Sequence, residues 1–423
     1  MKEEFLHYIW KYKLYESANL KSTSGLKIKI LKPGTHNLDS GPDFFNAKIN
    51  IDKTIWSGNV EIHINSSDWY NHNHHTNKAF DNVILQVVIN HDKEVFRTNG
   101  ELIPTLELKF NKQLLDNYEN LLNSQLWIPC ESDISKVDSF IIDQWIGKLA
   151  IERLEEKSKR IDDLLEQFNN NIEASFYIQL AQSFGFKLNS EPFEMLAKSL
   201  PLIYLAKHKN SLLQIEALLF GQAGFLNDSE GDEYYKSLHK EYLFLKSKFN
   251  LKPIGKHLWK FLRSRPGNFP TIRIAQFAML IFKSSALFSK IIESRSIDEV
   301  KELLLVETSD YWENHYLFNK ESIKKTKHLG ENSVDIIIIN TVIPFLFIYG
   351  KQNGSESITH RALDFLEKIK SEKNSIIDTW RIFGIRSENA LSSQALIHLK
   401  NIYCNQKKCL NCTIGNQIIK MAE

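Results

Sequence analysis

Cysteine is scarce in this chain, with four among 423 residues, and Cys404, Cys409 and Cys412 crowd its C-terminal end. Thiols so few and so unevenly spread exclude a disulfide framework and point instead to metal. Charge of one sign is lacking too: 53 Lys and Arg against 51 Asp and Glu leave a net charge of +2, so any nucleic-acid-binding surface has to be local. Long apolar runs are missing. The longest, 334–349, holds Asp335, Asn340 and Pro344 and falls short of the ~20 residues of a membrane span, so it reads as a buried helix and no membrane partner is expected. The opening MKEEFLHYIW carries acids where a secretory signal carries bases, which implies a cytoplasmic protein. No fixed repeat period is present, which excludes a solenoid.

What is present is the balance of a folded protein, 43% hydrophobic and 25% charged, in a chain too long for one core. Phe5, Leu6, Ile9 and Trp10 at helical spacing predict an opening amphipathic helix over 3–16. Segments 26–31, 47–51, 56–64, 83–89 and 102–108 are short, rich in β-branched and aromatic residues and bounded by turn residues, so they read as strands. From Lys112 the period turns helical, and 141–168 is a long charged helix. The expected organisation is an α/β (α+β) module over 1–112, a linker over 113–135 carrying Cys130, and a mostly all-α region over 136–423 that ends in the cysteine-rich hook.

The chemistry concentrates between Gly41 and His75. In a strand over 56–64, Val60 and Ile62 face one way while Glu61 and His63 face the other. If that strand is central, burying an acid beside an imidazole costs several kcal/mol unless they pair or hold a cation. The following stretch, with Asp68, Trp69, His72, His74 and His75, brings more imidazoles to the same ion if it folds back over the strand ends. The plainer alternatives are that Asp43 caps a turn after Pro42, that Glu61 pairs with His63 or a lysine, and that the histidines are solvated. Gln86 inside an apolar strand needs a partner, and Glu4 on the opening helix is a further candidate acid.

Pro42-Asp43 followed by Glu61-Ile62-His63 resembles the motif of the PD-(D/E)XK nuclease superfamily, over roughly residues 1–110. The resemblance implies a restriction-endonuclease-like module with Mg²⁺ or Mn²⁺ on Asp43 and Glu61, hydrolysing DNA or RNA by in-line attack of water. His63 stands where that motif has lysine. An imidazole, with its ordinary pKa of ~6.5, can take a proton from water or orient it, but lacks lysine's permanent charge. A wider set, Gly41-Pro42-Asp43-Phe44, Gly58 through His63, Ser67-Asp68-Trp69 with His72 and His74, and Tyr403-Cys404 with Cys409, Cys412 and Gly415, resembles an uncharacterised bacterial family, domain of unknown function 2851. That name implies no activity.

Cys404, Cys409 and Cys412 offer three thiolates at ligand spacing, and Cys130 is the only thiol left to make four. Four sulfurs suit Zn²⁺ or a [4Fe–4S] cluster equally, and the one-plus-three layout resembles iron–sulfur nucleases in which the cluster staples the core shut. Arg263, Arg265 and Arg273 around a Pro-Gly-Asn loop, with Lys324, Lys327, Lys407 and Lys408, are candidate phosphate contacts or joints between helices. The expected function is a metal-dependent phosphodiesterase acting on DNA or RNA, with Asp43, Glu61, His72 and His74 around the metal and His63 orienting water. The alternative is a non-catalytic nucleic-acid- or protein-binding scaffold with a degenerate nuclease fold and a structural metal on the cysteines.

Overall fold

The computed structural model describes residues 1–227 and 230–421. They form two units, one of Met1–Trp145 with Leu399–Glu423 and one of Ile146–His398. The cysteine-rich end therefore belongs to the N-terminal unit, and residues 113–135 are no linker. They include a helix packed into that unit, because apolar residues such as Tyr118 and Leu121 need a core to enter.

In the first unit α1 (Glu3–Lys11) is followed by β1 (Ile28–Lys32), β2 (Thr35–His36), β3 (Phe44–Ile51) and β4 (Thr54–Asn65), then by α2 (Asp68–Asn71), β5 (Val83–Asn90) and β6 (Thr105–Glu107). Acids in its first turn and Lys11 in its last match the dipole of α1, and Phe5, Leu6, Ile9 and Trp10 are buried as their spacing predicts. The helix stops before residue 16 because Lys13 adopts a left-handed conformation. The sheet order is β1-β3-β4-β5-β6, with β2 on the edge of β3. The first three of these strands run antiparallel, while β4, β5 and β6 run parallel. A parallel step needs a crossover, and α2 with the short turns His74–Thr76 and Lys78–Phe80 supplies it.

Two register shifts bend the strands beside β4. One extra residue lies on β3 between Phe44 and Ala47, where Asn46 is left-handed, and Ile84 is the extra residue on β5 between Val83 and Leu85. Such bulges re-aim neighbouring side chains. Gly58 makes room for the second: a Cβ there would stand 2.4 Å from Ile84 Cγ2 and 2.6 Å from Asn82 O.

The first unit continues with α3 (Lys112–Asn123), whose Tyr118 stacks on Phe5 at 5.2 Å. The terminal helix Thr413–Lys420 packs on α3. Asn117 Nδ2 donates to Ile419 O (3.2 Å) and Met421 O (2.9 Å), and Lys400 Nζ donates to Trp127 O (2.6 Å).

The division between units falls within α4 (Ser139–Gln167). The second unit is mostly helical, with a core that includes Phe176, Phe184, Phe193 and Phe277, and it adds a small hairpin, His315–Leu317 with Lys320–Glu321. Helix Glu331–Gln352 is long and apolar enough to cross a membrane by length and composition. Its Val334, Ile337, Phe345 and Leu346 are buried in this core.

Gly58→Ala is expected to destabilise the protein by ~1–3 kcal/mol through overpacking against Ile84. Denaturant unfolding checks this, and an unchanged midpoint would show that Gly58 is dispensable there.

Candidate metal centre

β4 is the central strand, and both of its faces are covered from Val60 to His63. Asp43 stands at the entrance to β3, just before the bulge. Its backbone N–H donates to Glu61 Oε2 (3.1 Å), and Ile62 N–H donates to Asp43 Oδ2 (2.9 Å). Each acid is thus clasped by the other's strand, and Asp43 is not a turn cap. Burial first, and the neighbouring Asp43 second, push the Glu61 carboxyl far above the usual carboxylate range.

The crossover folds back over this pair. Its anchors are Ser66 and Ser67, whose hydroxyls donate to Asp92, and Trp69, whose Nε1 donates to Phe96 O. Trp69, Phe80, Val83, Val95 and Ile103 form a small core beneath it, and His74 stacks on Phe80 at 3.8 Å. The result places His74 Nε2 3.1 Å and His63 Nε2 3.7 Å from Glu61 Oε1, with His72 Nδ1 3.3 Å from His63 Nε2. Donor atoms of His63, His72 and His74 all lie within 4.8 Å of one another. Ligands bonded at ~2.0–2.2 Å to a tetrahedral ion stand ~3.4 Å apart, so these spacings fit a shared cation.

Gln86 holds His63 from behind: its Nε2 lies 3.1 Å from His63 Nδ1 and donates to Ser66 O (3.1 Å), while Thr105 Oγ1 donates to its Oε1. A carbonyl only accepts, so Gln86 presents its NH₂ to both and the proton of His63 sits on Nε2. Coordination through Nε2 requires that amide to turn over, so that its carbonyl accepts Nδ1–H, at the loss of its bond to Ser66 O. Burial, then His74 and His72, push His63 down to about 3, and burial lowers His74 as well. Both rings are neutral near pH 7. Held down in this way, His63 stands beside Glu61 as a neutral ring.

α1 supplies two groups that the sequence reading passed over. His7 Nε2 lies 3.3 Å from Asp43 Oδ2. Burial opposes its charge, but the adjoining carboxyl group of Asp43, with Glu3 and Glu61 behind, outweighs burial and raises its pKa. Glu3 faces the same cluster, and burial, then Asp43 and Asp68 against the pull of His72 and His7, raises its pKa. Glu3 and His7 share a helix face at i, i+4, which was the available signal. Glu4 is exposed, and His75 packs on Tyr70 (5.0 Å) outside the cluster. Three imidazoles with carboxylates form a donor set for Mn²⁺, Zn²⁺ or Fe²⁺; Mg²⁺, which prefers oxygen and retained water, suits it poorly.

The four cysteines lie near enough for their charges to act on one another. All are free thiols, and Cys130, Cys409 and Cys412 are buried. Burial raises each thiol's pKa, Cys409 to about 12, and neighbouring thiols raise Cys130, Cys404 and Cys409 further. The sulfur of Cys412 also receives the N–H groups of Ile414 and Gly415 and the Trp145 side chain, as a thiolate ligand does. A Cβ at Gly415 would meet Cys409 O at 2.4 Å, so only glycine lets this turn close.

The candidate phosphate contacts separate into two kinds. Lys324 pairs with Glu313 (3.0 Å), Lys327 Nζ is spent on the carbonyls of Trp312 and Glu313, and Lys407 Nζ donates to Leu122 O, so these three are joints. Arg263, Arg265 and Arg273 lie in the second unit around a single cavity, the first two exposed and the third buried.

The family model described as "Protein of unknown function (DUF2851)" matches residues 3–375. No curated protein and no solved structure matches the chain.

The carboxyl of Glu61 titrates at 4.5 when unfolded and near 9 when folded. Its stability contribution is fully present below 4.5 and is lost as pH rises through about 9. In chelator, the melting temperature of wild type minus that of Glu61→Gln should therefore fall between pH 6.5 and 9. A pH-independent difference would mean that Glu61 is not a strained buried acid.

Proposed function

The chain belongs to the protein family of unknown function DUF2851, and from its own residues we propose that the N-terminal unit is a metal-dependent phosphodiesterase acting on DNA or RNA in the cytoplasm. The observation that carries this reading is the buried Asp43–Glu61 clasp facing three imidazoles, since an acid pair crowded on a central strand is relieved by a cation. The residues to hold it are Glu61, His63, His72 and His74, with Asp43 alongside. Such an ion, when bound, supplies Lewis acidity toward a phosphoryl oxygen and the attacking water.

Support for phosphoryl chemistry comes from the resemblance to PD-(D/E)XK nucleases. An opening helix, an antiparallel run of strands and a crossover to a parallel strand accompany Pro42-Asp43 and Glu61-Ile62-His63 in the matching order. That motif's lysine brings a positive charge, which the neutral His63 cannot. His7 is the candidate: Asp43 raises its pKa and so favours its charged form at the partly open rim of the cluster, where that charge would steady the phosphoryl group. Asp43 orients His7 while its own Oδ2 accepts the Ile62 N–H, which fixes the dyad to the strand.

We infer also that Cys130, Cys404, Cys409 and Cys412 hold a four-sulfur centre, Zn²⁺ or a [4Fe–4S] cluster, which ties the terminal segment to the N-terminal unit.

Purified protein with Mn²⁺ should cleave single- or double-stranded DNA or RNA, and Asp43→Ala or Glu61→Ala should abolish cleavage without unfolding the chain. His7→Gln should lower kcat at least tenfold and remove the alkaline limb of its pH profile. Equal cleavage by wild type and both acid variants means a contaminant and ends the reading, while binding without cleavage under every metal replaces it by a non-catalytic scaffold.

For the cysteines, anaerobic purification should give either brown protein with iron and labile sulfide or colourless protein with zinc, and Cys409→Ser should lose that metal and melt at lower temperature. Protein free of both metals would return the cysteines to packing.

A further inference from the structure

The second unit contains a cavity of about 460 Å³ around the loop that precedes helix Pro270–Lys283. Its cations are Lys187, Arg263, Arg265 and Arg273, and among the described residues no carboxylate lines it. Arg273 is only 6% exposed. Its guanidinium donates to Gln276 Oε1 (3.0 Å), Asn268 Oδ1 (2.6 Å) and Ser333 Oγ (3.2 Å), all neutral, and lies 4.4 Å from the centre of the Phe186 ring. Its Nε has no hydrogen-bond partner, and Arg273 forms no ion pair among the described residues. A guanidinium has five N–H donors and cannot discharge by losing its proton. A buried, unneutralised guanidinium costs several kcal/mol unless an anion meets it.

Two further features mark the place. Phe186 and Arg263, which both line the cavity, are non-glycine residues in left-handed backbone conformations (φ 48° and 64°), and such strain gathers at ligand clamps. A neighbouring cavity shares Phe186, Lys187 and Ile336 with this one, but its remaining charges are spent. There Arg153 pairs with Glu156 and Arg160 with Glu194, both at 2.6 Å. Lys157 there donates to Ile339 O, Asn340 Oδ1 and Gln394 Oε1. Unpaired positive charge is therefore concentrated at Arg273, Arg263, Arg265 and Lys187.

We propose that this cavity binds the terminal phosphate of a phosphate monoester, with Arg273 as the buried anchor, Arg263 and Arg265 closing on the anion from the rim, and the ester's organic part against Phe184, Phe186 and Phe193. Arginine's planar fork matches two phosphate oxygens, and a cavity of this size takes a small organic ligand besides the phosphate itself. The monoester belongs either to a free nucleotide or to the 5′ end of a nucleic acid. The proposal does not rest on the metal centre, because the residues concerned all lie in the second unit and binding is read without added metal.

The test is calorimetric titration of the full chain in chelator at fixed salt, with AMP, adenosine, a 5′-phosphorylated tetranucleotide and its 5′-hydroxyl counterpart. Binding of AMP but not adenosine is expected, and the two tetranucleotides decide the source: preference for the phosphorylated one assigns a nucleic-acid end, indifference assigns the free nucleotide. Arg263→Ala/Arg265→Ala, exposed positions that leave the core intact, should weaken AMP binding at least tenfold. Arg273→Lys, which keeps the charge but loses the fork, should do the same at unchanged fold. AMP and adenosine binding alike, neither binding, or full affinity in the double variant would overturn the proposal.

Discussion

A carboxylate placed under a sheet, beside a second carboxylate and away from water, is the constraint on which the N-terminal unit is built. Glu61 cannot be relieved by moving, because β4 is paired on both sides and its neighbours Val60 and Ile62 are locked into the core. The surrounding features serve that one group. The bulge on β3 swings Asp43 to where Ile62 N–H can hold it, the missing side chain at Gly58 lets β5 bulge alongside, and the two-serine anchor on Asp92 turns the histidine-bearing crossover back over the strand. Local structure that is costly in isolation, such as left-handed Asn46 and Asn73, is retained where it aims polar groups at the acid.

The second unit presents the converse problem. Its buried Arg273 is a cation surrounded by neutral oxygen acceptors, as Glu61 is an acid held between Asp43 and the rings of His63 and His74. In both cases hydrogen bonds fix the orientation of the group, but Arg273 keeps its charge while Glu61, pushed up by burial, holds its proton. This differs from the surface pairs, such as Arg160 with Glu194, where charge is cancelled and little is left for a ligand to gain.

The sequence was legible where a single periodicity governs. Alternation in β4 identified the polar face, helical spacing identified α1 and α4, and the need of a polar side chain in an apolar strand identified Gln86, which holds His63. It was illegible where the decisive neighbour is distant along the chain. His7 looks like one polar residue on an amphipathic helix, and only the packing of α1 on β4 brings it to Asp43. β2 is too short to carry a period. The difference between Arg273 and its two companions could not be read from the loop, since its burial is set by the start of a helix and by Ser333, sixty residues on. The three-part division failed for the same reason: composition changes near residue 112, but Asn117 and Trp127 find their partners more than 270 residues later.

Because the first unit is closed by residues 399–421, it is a split domain with the whole second unit spliced into it. A ribosome adding ~5–20 residues per second needs on the order of tens of seconds to make the intervening segment. Throughout that interval α3 lacks the helix that covers it and Cys130 waits without its three companions. The second unit, whose chain is continuous, is fully synthesised before the first can close, so the contacts of residues 399–421 with the rest of their unit are the last to become available.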